Sequence, residues 1–553
     1  MTYNPPIDDM QFLLHDVLGF EHEDLDRETT EAVLGEAAKL ATNVLGAINA
    51  DGDHHGAKLN SDDNSVKTAP GWKAAYDEYR GGGWNAVPFD AEFGGQGMPW
   101  ALAFPIQEMW QGANMSFGLC PLLNQGAIEA ILAHGSDEQK TEYLPNLIEG
   151  TWTGTMNLTE PHAGSDLGLL RTKADKQDDG QGGIEYKISG QKIWITYGEH
   201  DLTDNIIHLV IARTPDAGDD VKGISLFIVP KFLRDGTRND VKCVGLDHKL
   251  GIHASPTCVM QFGDDGGATG YLVGEEGQGL KYMFTMMNNA RLSVGLQGVA
   301  IAERAYQHAA AYASERVQGK SLTTGERVTI DQHKDVQRML LTMKTQIQAG
   351  RALAYDAALA LDNAHNGDKQ AAAKVDVMTP IVKAWCTDMA VEVTSLGIQI
   401  HGGSGFIEET GAAQYMRDAR ILPIYEGTNG IQALDLAFRK TLRDGGAAVK
   451  GYIDSIKTDA LADEFKKLEE ATDALLKAGG EKNLDLVQAM ATPYLKGFGI
   501  IAGAAMLEKS AGISSGNDEF DQQKQKHAMF FKTNILPFAI AHLNAAINGA
   551  QHV

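Results

Sequence analysis

The sequence predicts an α+β chain in which a helical segment, a β segment and a second, longer helical segment follow one another. Two observations carry this. Apolar residues recur at helical spacing up to about Gly154, give way to short β-branched runs, and return to long helical periodicity beyond Gly279. The chain is also 553 residues long, too much for one hydrophobic core, so about two to four structural units are expected.

Over residues 8–50, Phe12, Leu13, Val17, Val33, Leu40, Val44 and Leu45 follow helical spacing. The polar stretch 51–64, with its glycines, reads as a loop. A helix resumes at Trp72 and stops at Gly81-Gly82-Gly83. Residues 102–147 are mostly helical, with a helix start at Ser136-Asp137-Glu138-Gln139. Residues 184–188 and 192–196 flank Ser189-Gly190-Gln191, which predicts two strands joined by a tight turn. Residues 206–212 and 224–229 have the length and β-branched content of buried strands. Helices are then predicted over 283–316, 330–363, 371–397 and 431–442, and a Gly445-Gly446 break precedes a final helical segment, 463–550.

Bulk composition excludes some functions. Hydrophobic content of 43% and charged content of 22% are ordinary for a globular protein. A formal net charge of −25 opposes nucleic acid or anionic membrane as a partner, because both demand a basic surface. Cys120, Cys243, Cys258 and Cys386 show no CxxC spacing, so neither a metal site nor a disulfide framework is expected, and a reducing compartment is favoured. The first twenty or so residues lack a basic stretch followed by an apolar one, and no apolar run is expected to span a bilayer, so the chain reads as cytoplasmic.

Two segments carry chemistry. One is Asn157-Leu158-Thr159-Glu160-Pro161-His162-Ala163-Gly164-Ser165-Asp166, followed downstream by Trp194-Ile195-Thr196. The other is Ile424-Tyr425-Glu426-Gly427-Thr428-Asn429-Gly430-Ile431-Gln432, a carboxylate between an aromatic and a glycine. In this order they resemble the diagnostic segments of the acyl-CoA dehydrogenase family, over roughly residues 35–440. The helical, β, helical order is that family's architecture. The extra sequence at both ends resembles the subgroup that oxidises 3-methylmercaptopropionyl-CoA. The resemblance implies a helical extension (1–35), an N-terminal α domain (36–154), a barrel-like β domain (155–275), a four-helix bundle (276–445) and extra helices (446–553).

Taking a hydride from the β-carbon of a thioester needs a base for the weakly acidic α-proton, donors for the thioester oxygen and an electron sink that no side chain supplies. The resemblance implies that Glu426 is the base and FAD the sink. A carboxylate buried beside Tyr425 is expected to have a raised pKa. Met156, Leu158 and Thr159 then lie on the flavin strand, Gly164 and Ser165 turn toward the pyrophosphate, Trp194 covers the flavin, and Thr196 lies near its phosphates. Arg316 matches an arginine that pairs with the pyrophosphate. Its usual downstream glutamine is replaced, after a polar insertion at 319–331, by Lys334. Gln399, Ile400, His401, Gly402 and Gly403 resemble a loop that contacts the FAD of a neighbouring subunit, while Thr428 and Asn429 are expected to touch FAD. Ser165, Asn288, Arg291, Tyr425 and Gly427 belong to the substrate side. His162 occupies a variable position and receives no catalytic role. The partners implied are an acyl-CoA, an electron-transferring flavoprotein and at least a second copy of the chain. The rivals are a short- or medium-chain acyl-CoA dehydrogenase, an acyl-CoA oxidase and a DNA-binding relative.

Overall fold

In the computed structural model, which describes residues 2–178, 183–215, 217–218 and 220–553, the chain forms two compact units. One comprises Asn43–Met98 and Asn114–Ala290, and the other Met1–Thr42, Pro99–Ala113 and Arg291–Val553. The helical, β, helical order predicted from the sequence is present, and the architecture is α+β as expected.

The regular elements before the sheet are α1 (Ile7–Gln11), α2 (Arg27–Leu40), α3 (Asn49–His55), β1 (Lys58–Asn60), β2 (Ser65–Lys67), α4 (Trp72–Gly81), α5 (Trp100–Ala113), α6 (Met115–His134) and α7 (Asp137–Glu149). The start of α7 is the capping box that the sequence announces: Ser136 Oγ accepts from Gln139 N–H at 3.2 Å, and Gln139 Oε1 accepts from Ser136 N–H at 3.1 Å. The loop expected at 51–64 is instead α3 followed by the β1–β2 hairpin. This helix has no apolar stripe to betray it. It is held because Gly52 lies against the Trp72 ring, so close that a β-carbon there would sit 2.1 Å from it, and it ends at Gly56 with φ 62°.

The sheet consists of β3 (Trp152–Asn157), β4 (Lys173–Asp178), β5 (Ile184–Thr196), β6 (Asn205–Arg213), β7 (Ile224–Pro230), β8 (Val241–Leu246), β9 (Thr257–Phe262) and β10 (Ala268–Val273). Pairings run β10, β7, β6, β4, β5 and back to β10, which closes a ring and gives the barrel-like form. Strand β6 is apolar on both faces for a clear reason. Ile207, Leu209 and Ile211 meet a core shared with Ile128, Ile131 and Leu144 of α6 and α7, while Val210 and Ala212 face the barrel interior with Phe227, Met260 and Phe262.

The turn expected at Ser189-Gly190-Gln191 does not exist, because β5 is one continuous strand. Its first half pairs with β4 and β10, and its second half with β9. Gly190 sits at the change of partner with φ 148°, and a β-carbon there would lie 2.6 Å from Thr172 Oγ1. The glycine therefore marks a close approach between strands, a common alternative to a turn. Gly190→Val should destabilise this unit by at least about 1–3 kcal/mol, the usual cost of forcing such a backbone. An unchanged thermal midpoint would show that the strand can shift instead.

The remaining elements are α8 (Gly279–Glu315), β11 (Val317–Lys320), β12 (Arg327–Thr329), α9 (Lys334–His365), α10 (Lys369–His401), α11 (Ala412–Ala419), α12 (Asn429–Leu434), α13 (Ala447–Ile456), α14 (Ala462–Gly480), α15 (Leu484–Ile513), α16 (Glu519–Asn534) and α17 (Leu536–Asn544). The predicted final segment thus resolves into several helices. One expectation is corrected here: α15 is long and apolar enough to cross a membrane by length and composition. Most of its apolar window, 83%, is buried within the chain, because it packs against α9, α10, α14, α16 and α17. It serves as a core helix of its unit.

A buried ionic cluster joins the extensions at both ends of the chain to this helical unit. Arg351 on α9 donates to Glu108 of α5 at 2.7 Å and to Glu303 of α8 at 2.9 Å, and Tyr355 donates to Glu108 at 2.7 Å. Asp9 of α1 meets Lys524 of α16 at 2.5 Å and Lys344 of α9 at 3.2 Å. Burial pushes the Asp9 carboxyl upward, but the surrounding cations of Lys344, Lys524 and Arg351 outweigh it and hold it well below the usual carboxylate range.

Candidate active site

Within the helical unit, the segment between α11 and α12 carries Tyr425 and Glu426. Leu422 is buried and anchors the turn, Tyr425 N–H donates to Ile421 O at 3.2 Å, and Asn429 N–H donates to Pro423 O at 3.0 Å. Thr428, whose Oγ1 accepts from Ile431 N–H at 3.2 Å, is the cap of α12, so Glu426 is not a helix-start carboxylate. Glu426 instead adopts φ 56° and Gly427 φ 83°, two successive left-handed residues. A non-glycine residue held there costs about 1–3 kcal/mol and persists where the surroundings enforce it. At Gly427 the enforcing neighbour is Gln432, whose Nε2 would lie 2.9 Å from a β-carbon and which donates to Glu426 O at 3.3 Å.

The Glu426 carboxyl retains some accessible surface, yet it is enclosed closely enough that desolvation dominates its titration. Burial raises its pKa to about 7, against the lowering effect of Arg291 and Lys383. Arg291, only 4% exposed on α8, faces Asp435 as well as Glu426. Lys383 on α10 is fully buried and donates to Gly427 O at 2.8 Å and Asn429 Oδ1 at 2.9 Å. Tyr425 donates its hydroxyl to Gln297 Oε1, and Gln297 Nε2 donates to Gln111 Oε1 at 3.0 Å.

The β-containing unit presents the other predicted segment. Strand β3 pairs in parallel with β6 through Asn157, and the chain then leaves the sheet through Leu158, Thr159 and Glu160. Glu160 accepts from Arg171 N–H at 2.7 Å, Thr172 N–H at 3.0 Å and Lys192 Nζ at 2.8 Å. Lys192 also donates to Leu158 O at 2.9 Å, and Ile193 N–H to Thr159 O at 2.9 Å. This network ties the predicted flavin strand to Trp194, two residues beyond Lys192. Trp194 sits at a bulge between Lys192 and Ile195, in left-handed backbone with φ 61°, and leaves 61% of its surface exposed. Such a tryptophan is unfavourable in backbone and in hydration at once. A flat aromatic cofactor laid against it would remove the second penalty, so the residues fit a flavin. Met156 and Thr196 are partly buried, and Gly164 and Ser165 are exposed on the turn after β3.

The other predicted contacts are distributed as follows. Gln399, Gly402 and Gly403 are exposed at the end of α10, whereas Ile400 and His401 face inward. The His401 ring stacks on Tyr312 at 4.5 Å and its Nδ1 bonds Gly397 O at 2.7 Å. Arg316 is exposed where α8 meets the β11–β12 hairpin, which is the predicted insertion, and Lys334 starts α9 and donates to Gln337 at 3.0 Å. Asn288 is exposed, while its neighbour Asn289 is buried and donates to Glu129 of α6. The structure thus brings Arg291, Tyr425, Glu426, Gly427 and Asn429 into one cluster, and gathers Leu158, Thr159 and Trp194 into another. Sequence reasoning missed Lys383, Gln297, Lys192 and Glu129. A lone lysine inside the apolar run Ile381-Val382-Lys383-Ala384-Trp385 was the available signal for the first.

One unit thus carries a desolvated carboxyl on a strained turn, and the other an exposed aromatic platform that fits a flavin; these are the parts of a flavoenzyme. Comparison with known proteins makes the class specific. Four profiles of acyl-CoA dehydrogenases match: the N-terminal domain over residues 49–151, the middle domain over 155–264, the C-terminal domain over 277–440, and an acetyl-CoA dehydrogenase C-terminal-like domain over 448–553. The chain belongs to the acyl-CoA dehydrogenase family. It is 45% identical to a 3-methylmercaptopropionyl-CoA dehydrogenase of Ruegeria pomeroyi, over 97% of this chain and 96% of that protein. It is 37% identical to a butyryl-CoA dehydrogenase of Syntrophomonas wolfei, over 93% of this chain and 90% of that one. An acyl-CoA dehydrogenase of Bacillus anthracis, solved with FAD, shares the fold at a TM-score of 0.77, with 21% identity, 99% of this chain and 91% of that one covered. The protein is an oxidoreductase that acts on CH–CH bonds of acyl-CoA thioesters, and its cofactor is FAD.

Proposed function

We propose that the chain converts 3-methylmercaptopropionyl-CoA to methylthioacryloyl-CoA, in dimethylsulfoniopropionate breakdown, with Glu426 as the base. The observation that carries the role of Glu426 is its placement: a carboxyl in left-handed backbone, desolvated to a pKa of about 7, with two cations beside it. A base tuned near the working pH is ionised often enough to act and basic enough to take a proton. Its carboxylate removes the α-proton, and the cations of Arg291 and Lys383 favour the ionised form that does so. Gly427, with no side chain, leaves room at the turn for a thioester. Bound FAD supplies the acceptor for the hydride that leaves the β-carbon. Trp194, Leu158 and Thr159 hold the flavin edge, and Arg316 pairs with its pyrophosphate.

The substrate reading rests on the similarity to the Ruegeria pomeroyi protein, with a short linear acyl-CoA as the runner-up. A bank of acyl-CoA thioesters assayed with an artificial electron acceptor tests it. The highest kcat/KM is expected for 3-methylmercaptopropionyl-CoA, and a clear preference for butyryl-CoA would select the runner-up. Reducing equivalents leave to an electron-transferring flavoprotein. Stoichiometric hydrogen peroxide during turnover would make the protein an oxidase. The exposed Gln399, Gly402 and Gly403 suit contact with the flavin of a second copy, so a homodimer or larger assembly is the working unit. The acidic charge opposes the DNA-binding reading. Four buried, unpaired cysteines suit a reducing, cytoplasmic setting.

Arg316→Ala should lose FAD more readily than wild type, since a charge-assisted contact of this kind contributes about 1.5–3 kcal/mol. Equal retention of flavin after dilution and gel filtration would place that arginine elsewhere.

A further inference from the structure

We propose that Lys383 is a positioning residue for the α-proton abstraction: it clamps the strained Glu426–Gly427 turn from α10 and, by its charge, keeps the Glu426 carboxyl ionised. This rests on Glu426 being the base. The geometry is direct. Lys383 is fully buried in an apolar stretch of α10, between Val382 and Ala384, with no exposed surface. A buried ammonium is expensive unless its protons are used. Here two of them are used on the turn itself, at Gly427 O (2.8 Å) and at Asn429 Oδ1 (2.9 Å). Asn429 is in turn fixed to α10, donating to Asp388 Oδ1 at 2.7 Å, Thr387 Oγ1 at 3.0 Å and Ala384 O at 3.1 Å. The residue after the base and the third residue after it are therefore both tied to one helix by one cation.

The charges around the pair are few. Glu426 faces Arg291 from α8 and Lys383 from α10, with the Tyr425 phenol on its own segment. Lys383 faces Glu426, Asp388 of α10 and Arg291. Arg291 is shared with Asp435 and Arg439, from the segment after α12. Burial pulls the Lys383 ammonium down to about 7 while Glu426 and Asp388 hold it up, so its charge depends on the carboxylate it faces. Arg291 divides its attraction between two carboxylates. On Glu426 itself the pull of Arg291 is the larger and that of Lys383 the second, and Lys383 adds to its charge the two hydrogen bonds that hold the turn.

Lys383→Gln tests this, because an amide can still donate toward the turn but carries no charge. The FAD-loaded variant should reduce its flavin anaerobically with substrate, with the rising limb of the pH–rate profile moved up by about one unit. That shift makes the rate about fivefold lower at pH 7 and close to wild type at high pH. Lys383→Arg, which restores the charge, should return the limb toward its wild-type position. An independent readout is the infrared carboxylic-acid band of the resting, substrate-free holoenzyme at neutral pH. It should grow in Lys383→Gln and be lost when Glu426→Gln is added. A rate lowered equally at every pH, with the infrared band unchanged, would reduce Lys383 to a structural lysine and overturn the inference. If Lys383→Gln fails to retain FAD, Lys383→Arg decides: a wild-type limb supports the charge role, and a displaced one overturns it. Failure of the underlying reading is separate, because it shows as flavin reduction by Glu426→Gln itself.

Discussion

Glu426→Gln is expected to fold and bind FAD, and to lose almost all flavin reduction by acyl-CoA under anaerobic conditions. Loss of a general base typically removes about 10²–10⁴-fold of rate. Arg291 and Lys383, the charged groups nearest the carboxyl, are cations whose attraction favours its ionised form, and neither replaces a carboxylate. Substrate should still perturb the flavin spectrum, since the amide leaves the turn intact. In wild type the rate should rise with pH through about 7, where Glu426 ionises. Stability carries the opposite sign. A carboxyl whose pKa is raised from 4.5 to about 7 makes the folded state hold a proton that the unfolded chain has released, so its contribution is lost as pH rises across that window. Glu426→Gln lacks this loss, so its melting temperature relative to wild type should climb between pH 4.5 and 7. Glu408, paired with Arg417 at 2.7 Å, and exposed Glu409 are suitable controls, whereas Asp418 is buried and is not. Near wild-type reduction by Glu426→Gln would move the base elsewhere.

Arg351→Met is expected to be the most destabilising single change in the helical unit. The guanidinium is 1% exposed and holds Glu108 and Glu303, which are equally buried. Removing it leaves two buried carboxylates, Glu108 with Tyr355 and Glu303 with Lys344 and Gln307 as partners. Breaking a buried pair in this way costs about 3–5 kcal/mol. Denaturant unfolding followed by circular dichroism checks the figure, and a midpoint within experimental scatter of wild type would mean that water reaches the cluster.

The helix–β–helix order was legible because periodicity switches where burial geometry switches. Strands β6 and β7 read as continuous apolar runs since both of their faces are covered, and α7 announced itself through the Ser136–Gln139 box. The same local logic failed at Gly190 and at residues 51–64. In the first, a glycine serves a contact with Thr172, in the second a polar helix is held by Trp72, and neither partner is adjacent in sequence. The apolar length of α15 was overlooked, and only its neighbours reveal that it is a core helix.

By itself the sequence determined the class of protein, because Glu426 with its glycine and the Leu158–Ser165 and Trp194–Thr196 segments are local patterns whose spacing survives folding. The tertiary structure alone decided how that carboxyl is tuned. Its left-handed turn is braced by nearby Gln432, but the cations that bias it, Arg291 and Lys383, approach from α8 and α10, more than forty positions away. Ionisation depends on distance and dielectric in space, and a linear sequence carries neither.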